Sequence, residues 1–514
     1  MGPLRNSKSK PKPKHTRKLS TSRLQRTRRS SLSSTQTQIQ QVQRQQLKKQ
    51  KQKQHHQQQR ALVAFAAQRA RRERWAIIAK DTQRIVCGDG KYVEERPSTS
   101  GFYSGDTSTS SFSSQPSSVY FSSAHAPRPS KGRQDHSQGQ PQGQGTIHVV
   151  HDIAPHIQLS KQLSTFYPHT SPSLAEWRRR PNARSVETSF TFTSSSTLTA
   201  ARTLHTTYPH LTNTSAYSLP TTTIGVLAFS SPKRPGGGYL HGGDEQEEAL
   251  ARSTSLVACL DTEQGKAFYK THKAFSGVDG KGIYDHSMVY CPGVVAFRKE
   301  DDDTLDNAPS ISSAPTNVRP RSKSRSKSKS QPSPTLALTP ASTSTSSSNP
   351  TPQTETTIPP YPLNILSSTP PSYAAIHQTY TITPSTSHIF TSGIKSVLTQ
   401  RLGRVLRTFE ERGDTAIVLG AYGCGSSEVQ VDMIASVWAE LLVCGEEEEA
   451  EGEGRSSNTV NGMQGGRGRW RREARFKDVF ERVVFAVPGK LFAPFKEGFE
   501  MRVLEAQIND ASRA

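Results

Sequence analysis

Two adjacent glutamates, Glu247 and Glu248, are the residues of this sequence best suited to acid–base chemistry. They follow Gln246 at the start of a predicted helix over residues 245–260, and neighbouring side chains on a helix point about 100° apart. The two carboxylates therefore face different groups, so one can act on a reacting bond while the other binds a neighbouring hydroxyl. The alternative is structural, because acidic residues are favoured in the first turn of any helix.

Two glycine-rich loops follow predicted strands and lead into predicted helices. Glycine permits positive φ angles and lets backbone N–H groups approach an anion closely, and a helix N-terminus behind the loop adds partial positive charge. Two such loops at one sheet edge predict a grip on a diphosphate from two sides, although a simple turn is the alternative for each. The loop residues that we expect to bind a ligand are Gly236, Gly237 and Gly238 in the first loop and Gly423, Cys424, Gly425 and Ser426 in the second.

These segments belong to a chain whose strand and helix patterns alternate. Apolar strands alternating with helices predict an α/β fold with a mostly parallel sheet between helix layers, in which ligands bind beyond the carboxyl ends of the strands. Pro292 indicates an edge or a bulge in its strand, and Gly413 is a typical helix stop. The predicted strands cover residues 189–193, 224–229, 289–297, 415–419 and 483–487, and the predicted helices cover 62–80, 198–205, 245–260, 394–412 and 431–442.

Low-complexity segments restrict where the chain can fold. Only 32% of the residues are hydrophobic, well below the roughly 45–50% of globular chains, and segments rich in Ser, Thr and Gln cannot offset the entropy of ordering. We predict one interrupted domain over residues 60–500. It is preceded by a disordered basic and Gln-rich arm at 1–59, contains low-complexity insertions at about 97–144, 300–354 and 445–474, and is followed by a tail at 501–514.

The net charge of +23 is concentrated in the N-terminal arm. The first 72 residues hold 20 Lys and Arg and no Asp or Glu, whereas the other residues include 46 basic and 43 acidic side chains. The folded body is therefore not expected to bind nucleic acid through its net charge, but the arm is a candidate nuclear signal or nucleic-acid tether. We expect a nuclear or cytoplasmic protein.

Other classes of site and environment are disfavoured. The five cysteines are odd in number and far apart, and no CxxC occurs, so neither a disulfide framework nor a zinc site is expected. His148, His151 and His156 lack the Cys or carboxylate partners that would complete a metal site. No run of about 18 apolar residues occurs, so no membrane partner is expected.

The combination of motifs resembles the microbial-type catalytic domain of poly(ADP-ribose) glycohydrolases. The triple glycine stands seven residues before Gln246-Glu247-Glu248, which resembles the family's GGG-x(6–8)-QEE signature. The surrounding resemblance covers most of the foldable segments. It includes Pro235 to Leu240, Leu250, Arg252-Ser253, Phe268-Tyr269 and the segments 71–86, 283–298, 417–425 and 483–487.

The resemblance implies a macrodomain-like three-layer fold with a central mixed sheet that binds ADP-ribose at one end. It also implies hydrolysis of the ribose–ribose O-glycosidic bond of poly(ADP-ribose), which needs an acid for the leaving oxygen. By the family pattern Glu248 is that acid, Glu247 holds a ribose hydroxyl and Gln246 positions the pair. The two loops then contact the diphosphate through backbone N–H groups, and no metal or organic cofactor is needed.

The sequence also departs from the family at two places. Ala228 stands where the family usually has Asn, and Ser426-Ser427-Glu428 replace the apolar residue, the aromatic residue and the Asn that usually continue the second loop. Two other functions therefore stay open beside the glycohydrolase. They are a non-catalytic module that binds ADP-ribose and a nucleic-acid-associated adaptor that works through its basic disordered arms.

Overall fold

The structure is a computed structural model that describes residues 22–97, 119–121, 146–179, 186–213, 219–275, 282–302, 356–425, 430–448, 470–471 and 473–512. The contacts divide the chain into two units, residues 1–71 and 72–514. Most of the three predicted insertions and the binding residue predicted at Ser426 lie outside the described residues.

A long helix, α1 (Ser22–Cys87), runs through much of the segment that we expected to be disordered. Residues 22–59 are helical in the structure, residues 1–21 lie outside the described part, and the disorder of the arm stays a prediction. No Gly or Pro occurs between Pro13 and Gly88, and Gln, Lys, Arg and Ala are good helix formers. The side chains of residues 46–71 are all exposed, so propensity rather than a buried face accounts for this part of the helix.

A seven-stranded mixed sheet forms the centre of the second unit. Its strands are β1 (Thr165–Tyr167), β2 (Ser189–Thr193), β3 (Ile224–Phe229), β4 (Met288–Arg298), β5 (Thr357–Ser368), β6 (Ala416–Leu419) and β7 (Arg482–Ala486). The spatial order is β1-β4-β5-β3-β6-β7-β2. The strands from β5 to β2 in this order are parallel, whereas β4 is antiparallel to both β1 and β5. The predicted α/β fold with a central mixed sheet is confirmed.

Helices cover both faces of this sheet. Successive side chains of β3 point to opposite faces of the sheet. Leu227 belongs to one hydrophobic core, and Val226 and Ala228 belong to the other. The first core is shared with α3 (Pro172–Ala175), α8 (Tyr373–Thr379), α9 (Ser387–Arg412), α10 (Val431–Ala439) and α11 (Phe492–Ala511), and the second with α4 (Thr197–Thr207), α5 (Gln246–Ser253), α6 (Leu256–Leu260) and α7 (Glu263–Phe275).

Smaller elements complete the described part. A second, three-stranded sheet pairs Thr146–Asp152 with both Lys91–Pro97 and Val119–Phe121, and α2 (Ala154–Leu163) follows it. None of the described helices combines the length and apolar character that a membrane crossing needs. The remaining elements are the strand pairs Thr212–Asn213 with Thr221–Thr222 and Glu447–Glu448 with Trp470–Arg471, short 3₁₀ helices at Pro209–Leu211, Tyr239–His241 and Gly489–Leu491, and a π-helix at Glu440–Cys444.

Several local predictions hold in the structure and one needs correction. The strand that contains Pro292 has a register shift beside it, so the bulge alternative is confirmed, and Gly413 ends α9 in the left-handed conformation. The single helix predicted over 245–260 is two helices, because Thr254 leaves helical geometry with an extended backbone. Its N–H nevertheless bonds to the carbonyl of Leu250, which ends α5.

Several described elements were missed by the sequence reasoning, among them β1, α2 and α7, and the central strand β5 was missed as well. The central strand β5 carries three prolines in its first half, a composition that disfavours a strand. Its second half, through Leu366, pairs with β4 and β3. Residues 501–511, which belong to the predicted tail, form the end of α11, and this helix packs Phe499 and Ala506 into the protein.

Candidate active site

A cavity of about 1010 Å³ opens where the parallel strands end. Its wall includes a residue within two positions of the end of each of four neighbouring strands, together with the N-terminus of α5. This is the position at which open α/β sheets bind ligands, and the volume is at the upper end of the range of about 300–1,000 Å³ for ligand pockets. The residues that follow the strands are Ser230 after β3, Thr369 after β5, Ala421 after β6 and Val487 after β7.

The first loop needs its glycines because α5 lies directly against it. Gly236 and Gly237 have φ angles of +65° and +56°, which disfavour a side chain. A Cβ atom at Gly236 would lie 2.9 Å from the Cβ of Ala251, and one at Gly238 would lie 2.7 Å from Oε1 of Glu248. The triple glycine thus lets the loop approach the helix that carries the two glutamates.

Both carboxylate oxygens of Glu248 accept backbone hydrogen bonds. The N–H of Gly238 donates to Oε1 at 2.6 Å and the N–H of Glu245 donates to Oε2 at 2.9 Å. The second bond is one half of a capping box, in which the side chain of Glu245 accepts in return from the N–H of Glu248. Glu248 is only partly buried and lines the cavity, so a fixed carboxylate faces the space that a ligand would fill.

Glu247 differs from its neighbour in burial and charge. Only 2% of it is exposed, although it also lines the cavity. Its Oε2 accepts from the N–H of Ser231 at 2.6 Å, while Oε1 is buried without a hydrogen bond in the described residues. Burial, helped by the charge of Glu248, raises the pKa of Glu247 to about 8. At neutral pH this side chain is therefore a protonated carboxyl group with one oxygen free to bind a ligand.

Gln246 connects the helix to the end of the neighbouring strand. Its Oε1 accepts from the N–H of Phe229 at 2.8 Å, and its Nε2 donates to the carbonyl of Leu227 at 2.8 Å and to the hydroxyl of Thr197 at 3.2 Å. The amide group thereby extends β3 by side-chain hydrogen bonds. Gln246 holds the two glutamates at the strand end rather than presenting its own polar atoms to the cavity.

The backbone N–H groups of the first loop are already engaged, which changes the expected anion grip. Gly237 donates to the carbonyl of Arg234 at 3.1 Å, and Gly238 donates to Glu248. One of these N–H groups stabilises the loop and the other binds a carboxylate, so neither is free to bind a ligand in the cavity. The predicted contact of Gly237 and Gly238 with a diphosphate would require these bonds to break.

The second loop has a more open backbone. Gly423 and Gly425 both line the cavity with positive φ angles of +78° and +54°, and neither N–H makes a hydrogen bond in the described residues. Cys424 is only 2% exposed, its N–H donates to the carbonyl of Ala421, and burial raises its pKa to about 12. Cys424 is thus a buried thiol whose backbone donor is occupied, and the N–H groups of the two glycines are the donors available to an anion.

Two cations that the sequence reasoning did not single out line the same cavity. Lys233 and Arg234 directly precede the triple glycine, and both are exposed. Neither makes an ion pair within the described residues, and a guanidinium nitrogen of Arg234 would lie 3.9 Å from a Cβ atom at Gly238. Their position beside a glycine loop was visible in the sequence, but their lack of acidic partners was not.

A charged wall on the other side of α5 was also missed. The guanidinium of Arg252 lies over the ring of Trp75 at 4.4 Å and donates to the carbonyl of Gly243. Glu300 accepts from the hydroxyl of Ser253 at 3.0 Å. Glu300 falls within a predicted insertion, yet it lines the cavity with Trp75 and Arg252. No local pattern indicates this, because the acidic run at 300–303 has the composition of a solvated loop.

The structure thus brings the predicted groups to one place. Seven of the ten residues contribute to the wall, whereas Gly236 and Cys424 lie behind it and Ser426 lies outside the described residues. The wall therefore combines a buried carboxyl group at Glu247, a cavity-facing carboxylate at Glu248 and the two cations Lys233 and Arg234. A pair of carboxyl groups is the chemical minimum for cleavage of a glycosidic bond.

The family comparison agrees with the resemblance predicted from the sequence. Residues 142–299 match the family model described as microbial-type PARG, catalytic domain, where PARG is poly(ADP-ribose) glycohydrolase. This range includes the first glycine loop and both glutamates, and the predicted resemblance is confirmed. No curated protein matches the chain.

Solved structures with a similar fold come from bacteria. The poly(ADP-ribose) glycohydrolase of Thermomonospora curvata bound to the inhibitor ADP-HPD is 24% identical, with a TM-score of 0.41, 69% of this chain covered and 90% of that chain. The enzyme of Deinococcus radiodurans in complex with ADP-ribose is 21% identical, with a TM-score of 0.42 and coverages of 67% and 97%.

Proposed function

We propose that this protein hydrolyses the ribose–ribose O-glycosidic bonds of poly(ADP-ribose) and releases ADP-ribose. The observation that carries the proposal is the pair Glu247 and Glu248 at the mouth of a large cavity between two glycine loops. The match of residues 142–299 to a poly(ADP-ribose) glycohydrolase domain supports the choice of substrate.

The two carboxyl groups receive different roles because their surroundings differ. Glu248 is the more accessible of the two and is held by two backbone donors, so we assign it the proton transfer to the leaving oxygen. Glu247 is protonated at neutral pH and closed off from solvent. Its free Oε1 is placed to bind a ribose hydroxyl, as a neutral group that adds no second negative charge beside Glu248.

The reaction that follows is a hydrolysis in which one water is consumed. Bound substrate displaces water from Glu248, which disfavours its charged form, so Glu248 takes up a proton from solvent as the complex forms. The bond between the anomeric carbon and the leaving oxygen then breaks, and the leaving oxygen takes this proton from the carboxyl group of Glu248. Water then adds to the oxocarbenium-like anomeric carbon, and the carboxylate of Glu248 accepts its proton. The acid is thereby regenerated without a metal or another cofactor.

The diphosphate is assigned to cations and to the second loop. Lys233 and Arg234 supply positive charge and have no acidic partner among the described residues, and the N–H groups of Gly423 and Gly425 supply donors from the second loop. Charged hydrogen bonds to phosphate oxygens are stronger than neutral ones. The diphosphate is therefore bound by both loops. The first loop contributes the side chains of its two cations in place of its backbone N–H groups.

The test uses the full chain and two ligands. Calorimetry should show binding of ADP-ribose, and incubation with labelled poly(ADP-ribose) should release free ADP-ribose. Binding without release would favour a module that recognises ADP-ribose without cutting it. A chain that neither binds ADP-ribose nor releases it from polymer would favour the nucleic-acid-associated adaptor. Such an adaptor should bind DNA through the basic arm, with an affinity that falls as the salt concentration rises.

A further inference from the structure

A short turn at residues 242–244 lies between the carboxylate of Glu248 and helix α1. A Cβ atom at Gly243 would overlap this carboxylate, and a Cβ atom at Gly242 would overlap the backbone carbonyl of Arg72 in α1. Gly242 also has a φ angle of +69°, which disfavours a side chain. The turn is therefore in close contact with the proposed acid through one glycine and with α1 through the other. A shift of the turn towards α5 would displace the carboxylate.

Arg252 fixes this turn on α5. Its guanidinium donates to the carbonyl of Gly243, while the N–H of Gly243 donates to the carbonyl of Gly238 at 3.3 Å. Gly238 donates its own N–H to Glu248 at 2.6 Å. Arg252 comes four residues after Glu248 in α5, and residues at this spacing lie on the same face of a helix. The turn is thus held against the face of α5 that carries the acid.

Helix α1 holds Arg252 in this position. Only 3% of Arg252 is exposed, and its guanidinium lies 4.4 Å from the centre of the ring of Trp75. The hydroxyl of Thr82 in α1 donates to the backbone carbonyl of Arg252 at 2.5 Å. The indole N–H of Trp75 donates to Asp301 at 3.2 Å, which fixes the ring itself. Because a planar guanidinium stacks well on an aromatic face, these contacts set the direction in which Arg252 donates to the turn.

The surroundings of Arg252 distinguish it from the cations that we assign to the diphosphate. Lys233 and Arg234 are exposed and have no acidic partner among the described residues. Arg252 lines the same cavity, but one face of its guanidinium is covered by Trp75, and several carboxylates offset its charge. An incoming phosphate would therefore be attracted less to Arg252 than to the other two. The acidic side chains whose charges act on Arg252 are Glu300, Glu248, Asp301 and Asp244.

We propose that Arg252 is a positioning residue, which acts through the turn at 242–244 to hold the carboxylate of Glu248 where proton transfer needs it, and that Trp75 keeps Arg252 in place. This inference rests on the proposed function. A proton donor must lie within hydrogen-bond reach of the leaving oxygen, and a displacement of about 1 Å can lower a rate about 100-fold. Binding of ADP-ribose depends less on this geometry, because the diphosphate is assigned to other groups. Arg252 therefore supports the chemical step more than binding.

The first comparison separates turnover from binding and from stability. Arg252→Met removes the guanidinium, whereas Arg252→Lys keeps the charge and a donor for the carbonyl of Gly243. Arg475→Met is the matched control, because Arg475 is also buried and lies 4.5 Å from the centre of the ring of Phe476. It binds Glu410 at 2.7 Å and does not line the cavity. Measurements on each full-length chain are kcat and KM with labelled poly(ADP-ribose), affinity for ADP-ribose by calorimetry, and the thermal midpoint.

We expect Arg252→Met to lower kcat about tenfold or more, with KM and the affinity for ADP-ribose within about threefold of the wild type. Arg252→Lys should recover part of the lost turnover, and Arg475→Met should lower the thermal midpoint without changing kcat. A loss of ADP-ribose affinity as large as the loss of turnover would make Arg252 a ligand contact. Either that result or an unchanged kcat in Arg252→Met would overturn the inference and leave the proposed function standing.

The second comparison tests the role of α1. If Trp75 acts only through Arg252, Trp75→Ala should lower kcat in the wild-type chain and have no further effect in the Arg252→Met chain. Losses that add in the double variant would overturn the part assigned to Trp75. Should Arg252→Met not fold, Trp75→Ala alone decides, since it must lower kcat and leave the affinity for ADP-ribose intact. A wild-type chain that releases no ADP-ribose from polymer would overturn the proposed function and this inference together.

Discussion

The two glycine loops of the cavity look alike in sequence and are used differently. In the first, after β3, glycine is required because a side chain would collide with Glu248 or with α5, and the N–H groups of Gly237 and Gly238 are consumed by the loop and the carboxylate. In the second, after β6, the glycines also have positive φ angles, but the N–H groups of Gly423 and Gly425 make no hydrogen bond within the described residues.

The difference shows that a glycine-rich loop after a strand has no fixed purpose. The first loop holds the reacting carboxylate in position, and only the second has backbone donors ready for an anion. Positive charge for a diphosphate comes to the first loop from the side chains of Lys233 and Arg234 instead. The predictions that follow test this division between a loop that holds an acid and a loop that binds phosphate.

The largest effect is expected at the carboxylate that the first loop holds. Glu248→Gln removes the proton donor, so we expect the release of ADP-ribose from polymer to fall at least about 100-fold, with binding of ADP-ribose largely retained. Glu247→Gln is the matched variant. It replaces a protonated carboxyl by a neutral amide of the same shape, and it should keep a substantial part of the activity.

Comparison of the two variants shows which of the two glutamates is the proton donor. If Glu247→Gln abolished release while Glu248→Gln retained it, the acid would be Glu247 and the first loop would hold a structural carboxylate. Rates of ADP-ribose release at saturating polymer, measured beside the affinity for ADP-ribose, distinguish a loss of chemistry from a loss of binding.

The next largest effect on turnover is expected from substitution of glycines in the two loops. A Cβ atom at Gly243 would overlap the carboxylate of Glu248, so Gly243→Ala should displace this group and lower turnover about tenfold or more. A Cβ atom at Gly425 meets no atom within 4 Å, but its φ angle is +54°. Gly425→Ala should therefore cost about 1 kcal/mol of stability and leave turnover nearly intact. Equal turnover in both variants would contradict the division between the loops.

The side-chain cations should contribute a smaller, salt-dependent effect. Joint substitution of Lys233→Ala and Arg234→Ala should weaken ADP-ribose binding several-fold at low salt, and the loss should shrink as ionic strength rises because exposed charges are screened. Lys266→Ala is a suitable control, since Lys266 is exposed and lies near Asp261, away from the cavity. A loss that does not change with salt would point to a contact other than charge attraction.

The smallest expected effect is on stability and follows from the pKa of Glu247. This pKa rises from 4.5 to about 8 on folding, so the native state binds more protons between these values. Stability should therefore fall as pH rises from about 5 to 8, by up to about 1.4 kcal/mol per pH unit from this group. Glu247→Gln removes the titration, and its unfolding free energy should fall less steeply over the same range. Parallel pH profiles for the two proteins would refute the raised pKa.

Asp414 also contributes to the pH dependence of the unfolding free energy. Burial raises its pKa to about 7, against the hydrogen bonds that it accepts from Asn364 and Tyr290. It lies away from the cavity wall and contributes a slope of the same sign in both proteins. The difference between the wild type and Glu247→Gln therefore reports on the site alone.

Much of the fold could be predicted because burial leaves a regular pattern. The strands at 189–193 and 224–229 and the end of the long helix at Gly413 agree with the structure. The central strand β5 was missed because the prolines in its first half disfavour a strand. Pairing with a strand on each side stabilises its second half. A break at Thr254 inside a helical pattern was missed for a similar reason, since an isolated bridge from this residue to β4 decides it.

The residue types that meet in the site could be predicted from the sequence alone, because the ends of neighbouring parallel strands converge at one edge of a sheet. Two glycine loops, a glutamate pair and a family resemblance were all visible there. The differences between these groups became visible only in the fold. The burial of Glu247, the absence of acidic partners for Lys233 and Arg234 among the described residues, and the place of Glu300 in the wall all depend on neighbours that are distant along the chain. No local sequence pattern records such neighbours.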